Sequence, residues 1–119
     1  MADEQTPDYL RAKDPDELRQ ILVQLRQGLE ELYGTRLRGL YLYGSYARGE
    51  ARAGSDLDVL AILDRVESPW VEIERTSHLC ARLSLEHAVT VSLLFRSERA
   101  WRDADSPLIR SVRREGRAA

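Results

Sequence analysis

Residues 55–63, Ser-Asp-Leu-Asp-Val-Leu-Ala-Ile-Leu, constrain this chain most. Their branched apolar residues read as a β-strand, and a strand needs neighbours to take up its backbone N–H and C=O groups. Two further stretches can supply them: residues 37–43, Leu-Arg-Gly-Leu-Tyr-Leu-Tyr, and residues 89–95, Val-Thr-Val-Ser-Leu-Leu-Phe. The run Val59–Leu63 is the longest uninterrupted apolar stretch. It falls far short of the roughly 20 residues that span a bilayer.

Helices fill the intervals. Asp14-Pro15-Asp16-Glu17 is a helix start, with an N-cap aspartate, proline at the first position and an acid three residues after the cap. Leu18, Ile21, Leu22, Leu25, Leu29 and Leu32 then recur at helical spacing as one apolar stripe, and Gly34 supplies the stop. Ser68-Pro69 opens a second long helix through about Glu86, with Trp70, Ile73, Leu79 and Leu83 as its core contacts. Ser97 and Ser106-Pro107 cap two shorter helices near the end. The order helix, strand, turn, strand, helix, strand, helix, helix predicts an α/β (α+β) domain, a small mixed sheet flanked by helices. Residues 1–13 are polar and aperiodic and read as a flexible tail, leaving 14–119 as a single domain.

Composition narrows the setting. Hydrophobic residues at 43% and charged residues at 32% describe a globular chain. Met1-Ala2-Asp3-Glu4 is acidic where a signal peptide would be basic. The lone Cys80 cannot form an internal disulfide, which suits a cytoplasmic location. A net charge of −2 argues against direct nucleic-acid binding. Basic residues do gather late, at Arg110, Arg113, Arg114 and Arg117, where a last helical turn favours them.

The chemistry lies where the first two strands meet. Asp56 and Asp58, two apart on a predicted strand, leave the same face about 7 Å apart. Alone, such a pair is more often a solvated surface feature. A hard divalent cation such as Mg²⁺ takes oxygen ligands and keeps water and substrate phosphates in its remaining positions, so two carboxylates suit a metal–phosphate site. Gly44-Ser45 ends the first strand twelve and eleven residues before Asp56. A glycine there lets the backbone approach a ligand, and a serine opening a short helix offers a hydroxyl and free N–H groups to phosphate oxygens. Strand pairing would set this turn beside the aspartates. A Walker A loop fits worse, because Glu50-Ala51 follows Gly49 where Lys-Ser/Thr is required.

Gly44-Ser45 followed by Asp56-Leu57-Asp58 resembles the signature of the nucleotidyltransferase superfamily, and the run Tyr43–Val59 looks most like its minimal members. The resemblance covers about Leu37 to Phe95, and Pro107-Leu108 with Arg114-Glu115-Gly116 looks like the ending of one subgroup. It implies a nucleotidyltransferase fold over 14–119. It implies that Asp56 and Asp58 are catalytic and hold Mg²⁺, and that Gly44 and Ser45 hold the β- and γ-phosphates of ATP, with Arg48 and Ser55 as further nucleotide contacts. Minimal nucleotidyltransferases are commonly paired with a HEPN-domain toxin, whose tyrosine hydroxyl is the implied acceptor of AMP. One departure stands out. Superfamily enzymes carry a third carboxylate on a later strand, where this chain has Ser92. A hydroxyl is a poor Mg²⁺ ligand and no general base near neutral pH.

Two functions of different classes follow: an adenylylating antitoxin, and a catalytically weak or inactive antitoxin that neutralises its partner by contact. An antibiotic-modifying transferase is third, because such enzymes usually add an acceptor domain. His78, His87 and Cys80 lack the spacing of a zinc site. Tyr41 and Tyr43 read as packing residues, and Trp70 and Trp101 as partial core or interface. A small sheet with few covering helices favours association with itself or a helical partner.

Overall fold

The computed structural model describes residues 11–119. Residues 1–10 of the expected tail lie outside the described residues, and 11–13 precede the first helix without regular structure.

Helix α1 spans Pro15–Tyr33. Asp14 caps it as expected, its carboxylate accepting the Glu17 N–H at 2.9 Å. That backbone hydrogen bond holds the Asp14 carboxyl below its ordinary range. Gly34, at φ 56°, ends the helix and opens a single 3-10 turn, Gly34–Arg36. Ile21, Leu25, Leu29 and Tyr33 are buried, whereas Leu32 is exposed. A row advancing by four residues turns slowly about the helix, so the inward row has passed Leu32 and reached Tyr33 by the last turn.

Strand β1 (Leu37–Tyr43) leads through the one-turn helix α2 (Ser45–Arg48) to β2 (Leu57–Leu63). Helices α3 (Pro69–Arg75) and α4 (Ser77–His87) carry the chain across to β3 (Val91–Ser97). Then follow α5 (Glu98–Asp103), α6 (Pro107–Glu115) and a two-residue β4 (Arg117–Ala118). The sheet order is β3-β2-β1-β4, with β2 antiparallel to β1 and parallel to β3. The mixed sheet flanked by helices is therefore the predicted class, and a parallel pair needs such a helical crossover.

The second long helix is two helices. Thr76 is buried and turns its hydroxyl to the Glu72 carbonyl at 2.9 Å, one of the local bonds by which threonine competes with a helical ladder. Ile73 is partly buried and Leu79 and Leu83 are buried, but Trp70 is 69% exposed. The inward face of α3 carries Glu72 instead, whose carboxylate accepts the Tyr33 hydroxyl at 2.7 Å and Arg75 Nε at 3.0 Å. Burial, then that carboxylate, pushes the Tyr33 phenol upward. Strand β3 begins two residues later than predicted, because Ala88, at φ 51°, and its neighbours close α4. The chain leaves α6 at Glu115, so Arg117 belongs to β4 and not to a last helical turn.

Two apolar layers sandwich the sheet. One joins α1 and α4 to Leu40, Leu42, Val59, Ala61, Leu93 and Phe95. The other sets Leu60, Ile62 and Val112 against Tyr41, Tyr43, Trp101 and Leu108, with Trp101 stacked on Tyr41 at 4.7 Å. Tyr41 and Tyr43 thus pack, as their shared parity suggests. Strand β2 lies in both layers, and all its residues but Asp58 are buried.

Candidate active site

The site begins with register. Tyr43, the last residue of β1, pairs with Asp58, the second residue of β2. The chain turns at Gly44 directly beside the Asp58 side chain, at φ 76° and ψ −156°. A Cβ at Gly44 would collide with Asp58 Oδ2. Glycine is thus required twice, for the positive φ and for the close approach. After it, the Arg48 N–H returns to the Gly44 carbonyl at 3.1 Å and the Glu50 N–H to the Ser45 carbonyl at 2.9 Å, closing α2.

Asp56 stands one residue before β2 and is exposed, whereas Asp58 is half-buried. Burial first, and the Asp56 charge second, raise the Asp58 carboxyl above its usual range, with Arg48 acting in the opposite sense. Asp58 therefore senses Asp56, and Asp58 alone of the two lines a cleft of about 450 Å³. Gly44, Ser45, Arg48 and Asp58 line one side of it, and Leu108 and Ser111 of α6 another. Tyr43 borders the cleft, its phenol raised by burial and then by Asp58, while Arg96 pulls it down.

Of the residues singled out in the sequence, Gly44, Ser45, Arg48 and Asp58 converge. Ser55 does not join them. Its hydroxyl accepts the Arg52 N–H at 2.8 Å within the α2–β2 loop, and it borders a separate hollow with Tyr46 and Ser84. Ser92 lies directly across the parallel ladder from Asp58, so a third acid at that position would have faced the pair. Among the described residues, no group of three or more His, Cys, Asp or Glu side chains is placed to hold a metal. Two carboxylates of this kind are an open donor set, suited to a hard divalent cation that completes its shell with phosphate and water.

One residue of the site was not foreseen. Glu115, the last residue of α6, accepts the Gly44 N–H at 3.3 Å and Arg48 Nη1 at 3.2 Å on each oxygen. Arg48 Nε bonds Glu50 at 3.0 Å. Nothing local in the sequence marks a lone acid at a helix end as the partner of a turn 71 residues earlier.

Comparison with known proteins places this geometry. The nucleotidyltransferase domain family matches residues 22–115. A protein of Methanocaldococcus jannaschii that carries a provisional protein adenylyltransferase name is 31% identical over 90 residues, covering 75% of this chain and 84% of that protein. The protein adenylyltransferase MntA of Thermococcus cleftensis is 37% identical over 70 residues, 59% of this chain and 69% of that protein. A toxin–antitoxin crystal structure with AMP-PNP superposes with a TM-score of 0.57 at 22% identity, over 83% of this chain and 69% of that one. A mutant MntA–HpeT toxin–antitoxin structure gives 0.55 at 22% identity, over 85% and 69%. These two structures share the fold. Among the described residues, no helix is long and apolar enough to cross a membrane.

Proposed function

The chain belongs to the nucleotidyltransferase domain family, and we propose that it is a cytoplasmic antitoxin that transfers AMP from Mg-ATP to a tyrosine hydroxyl of a HEPN-type toxin. The observation that carries the reading is the Gly44 backbone packed against the Asp58 carboxylate, which sets the Gly44-Ser45 turn and an acid on the wall of one cleft. The names of the two relatives, both protein adenylyltransferases, support the acceptor class.

In this reading Gly44, Ser45 and Arg48 hold the β- and γ-phosphates, and Asp56 and Asp58 hold Mg²⁺. The bound ion supplies neutralisation of the triphosphate charge. The protein's own share is positioning and a fixed electrostatic frame. The rigid turn between β1 and α2 fixes the phosphate tail, and Asp58 is held by the sheet. The acceptor oxygen bonds to the α-phosphorus as the bond to pyrophosphate breaks, and its proton passes to solvent. No carboxylate on β3 takes the acceptor's proton, because Ser92 occupies that register.

Ser92 favours a second reading, an antitoxin that keeps the fold and neutralises its partner by contact alone. One experiment separates the two. The chain is incubated with labelled ATP, Mg²⁺ and the product of the neighbouring gene, beside Asp58→Ala. Label on the neighbour that the substitution abolishes supports transfer. Neutralisation without label, unchanged in Asp58→Ala, sinks the enzymatic reading.

A further inference from the structure

Glu115 seats an anion where the nucleotide reading places a phosphate. Its carboxylate is 16% exposed and takes the Gly44 N–H and the Arg48 guanidinium together. The segment after it holds the same turn from behind. Arg117 donates to the Tyr46 carbonyl at 3.3 Å and to the Ala47 carbonyl at 2.7 Å and 3.1 Å, and β4 pairs with β1 through Tyr41 and Leu42.

Carboxylate and phosphate oxygens compete for the same donors, and a guanidinium fork donates to either. Among the described residues, Arg48 is the one basic residue lining the cleft, against Asp58 and Glu115. A triphosphate carrying further negative charge cannot share Arg48 and the Gly44 amide with Glu115. We propose that Glu115 is an internal anion occupying the phosphate seat, and that a nucleoside triphosphate binds by displacing it, so that this residue sets nucleotide affinity. This rests on the nucleotide reading of the turn. Displacement needs little rearrangement. Glu115 ends α6, and the Gly116 N–H bonds the Val112 carbonyl at 2.7 Å whichever way the glutamate side chain turns. Arg48 keeps Glu50 as a partner after Glu115 has withdrawn.

A clasp that merely props the turn and an occupant that must leave predict opposite signs. Mg-ATP and, separately, inorganic tripolyphosphate are titrated by calorimetry into the full chain, Glu115→Gln and Glu115→Ala, with thermal melting as the check on folding. Both variants are expected to bind both ligands about 3- to 10-fold tighter, as for a site whose competent state is only fractionally populated. Glu115→Gln keeps the side chain's size and an acceptor oxygen, so it decides the matter even if Glu115→Ala melts early. Unchanged or weaker binding by folded Glu115→Gln overturns the displacement and leaves the nucleotide reading standing. Tightening confined to ATP overturns it too, since the effect would then lie outside the phosphate seat. Absence of ATP binding by all three proteins overturns both readings.

Discussion

At Asp58, burial and the neighbouring Asp56 push in the same direction, both favouring the protonated carboxyl. A carboxyl whose folded pKa is raised binds protons more readily in the folded chain than in the unfolded one. Its effect on stability therefore worsens as pH rises through the folded value. Asp56→Asn removes the like-charge share of that penalty. Without metal or nucleotide, the variant is expected to be more stable by about 0.5 kcal/mol at neutral pH, a small gain because Asp56 is exposed. The gain should fade as acid protonates Asp58. Urea unfolding at neutral and acidic pH checks this, and a gain that grows in acid contradicts it. The residues of the site were legible to different degrees. Gly44 and Asp58 were readable because a strand, a turn and an antiparallel strand bring a fixed sequence spacing to a fixed place. Ser55 fitted the same pattern, and the structure places it in the α2–β2 loop, where its hydroxyl accepts the Arg52 N–H and keeps its own proton to donate. Glu115 entered only within the subgroup-like ending Arg114-Glu115-Gly116, and its contact with the turn went unread because tertiary packing alone brings α6 there.

Among the elements, three serines read as helix caps, and the structure divides them. Ser97 and Ser106 accept the Ala100 and Ile109 N–H groups at 3.1 Å and 3.2 Å, whereas Ser68 makes no side-chain cap bond. Ser106→Ala is therefore expected to cost about 1 kcal/mol, and Ser68→Ala only a few tenths. Chemical denaturation of the two variants measures the difference, and equal costs would contradict it. Proline at the first turn identified both helix starts correctly, since it marks where a helix opens irrespective of what the preceding side chain does. Interior breaks were less visible. Thr76 stands between α3 and α4 with its hydroxyl on a backbone carbonyl, a local bond that hydrophobic spacing does not record. Strand β4 escaped for a simpler reason: two residues carry no periodicity.

Taken whole, the molecule is organised about β2, which pairs on both edges and carries Asp58 at its entrance. Its apolar run foretold a strand, and the surrounding helical signals foretold the layers. The order of strands came only from packing. That central position makes β2 the natural clock of the fold. Val59, Leu60, Ala61 and Leu63 are fully buried, so their amide protons should trade with deuterium only when the entire chain opens. A ligand held at the Asp58 end binds the closed form and slows that trade by its own binding factor, throughout the strand and not merely near the cleft. Exchange mass spectrometry with and without Mg-ATP would reveal it. Slowing restricted to the turn would mean that the strand opens independently of the site.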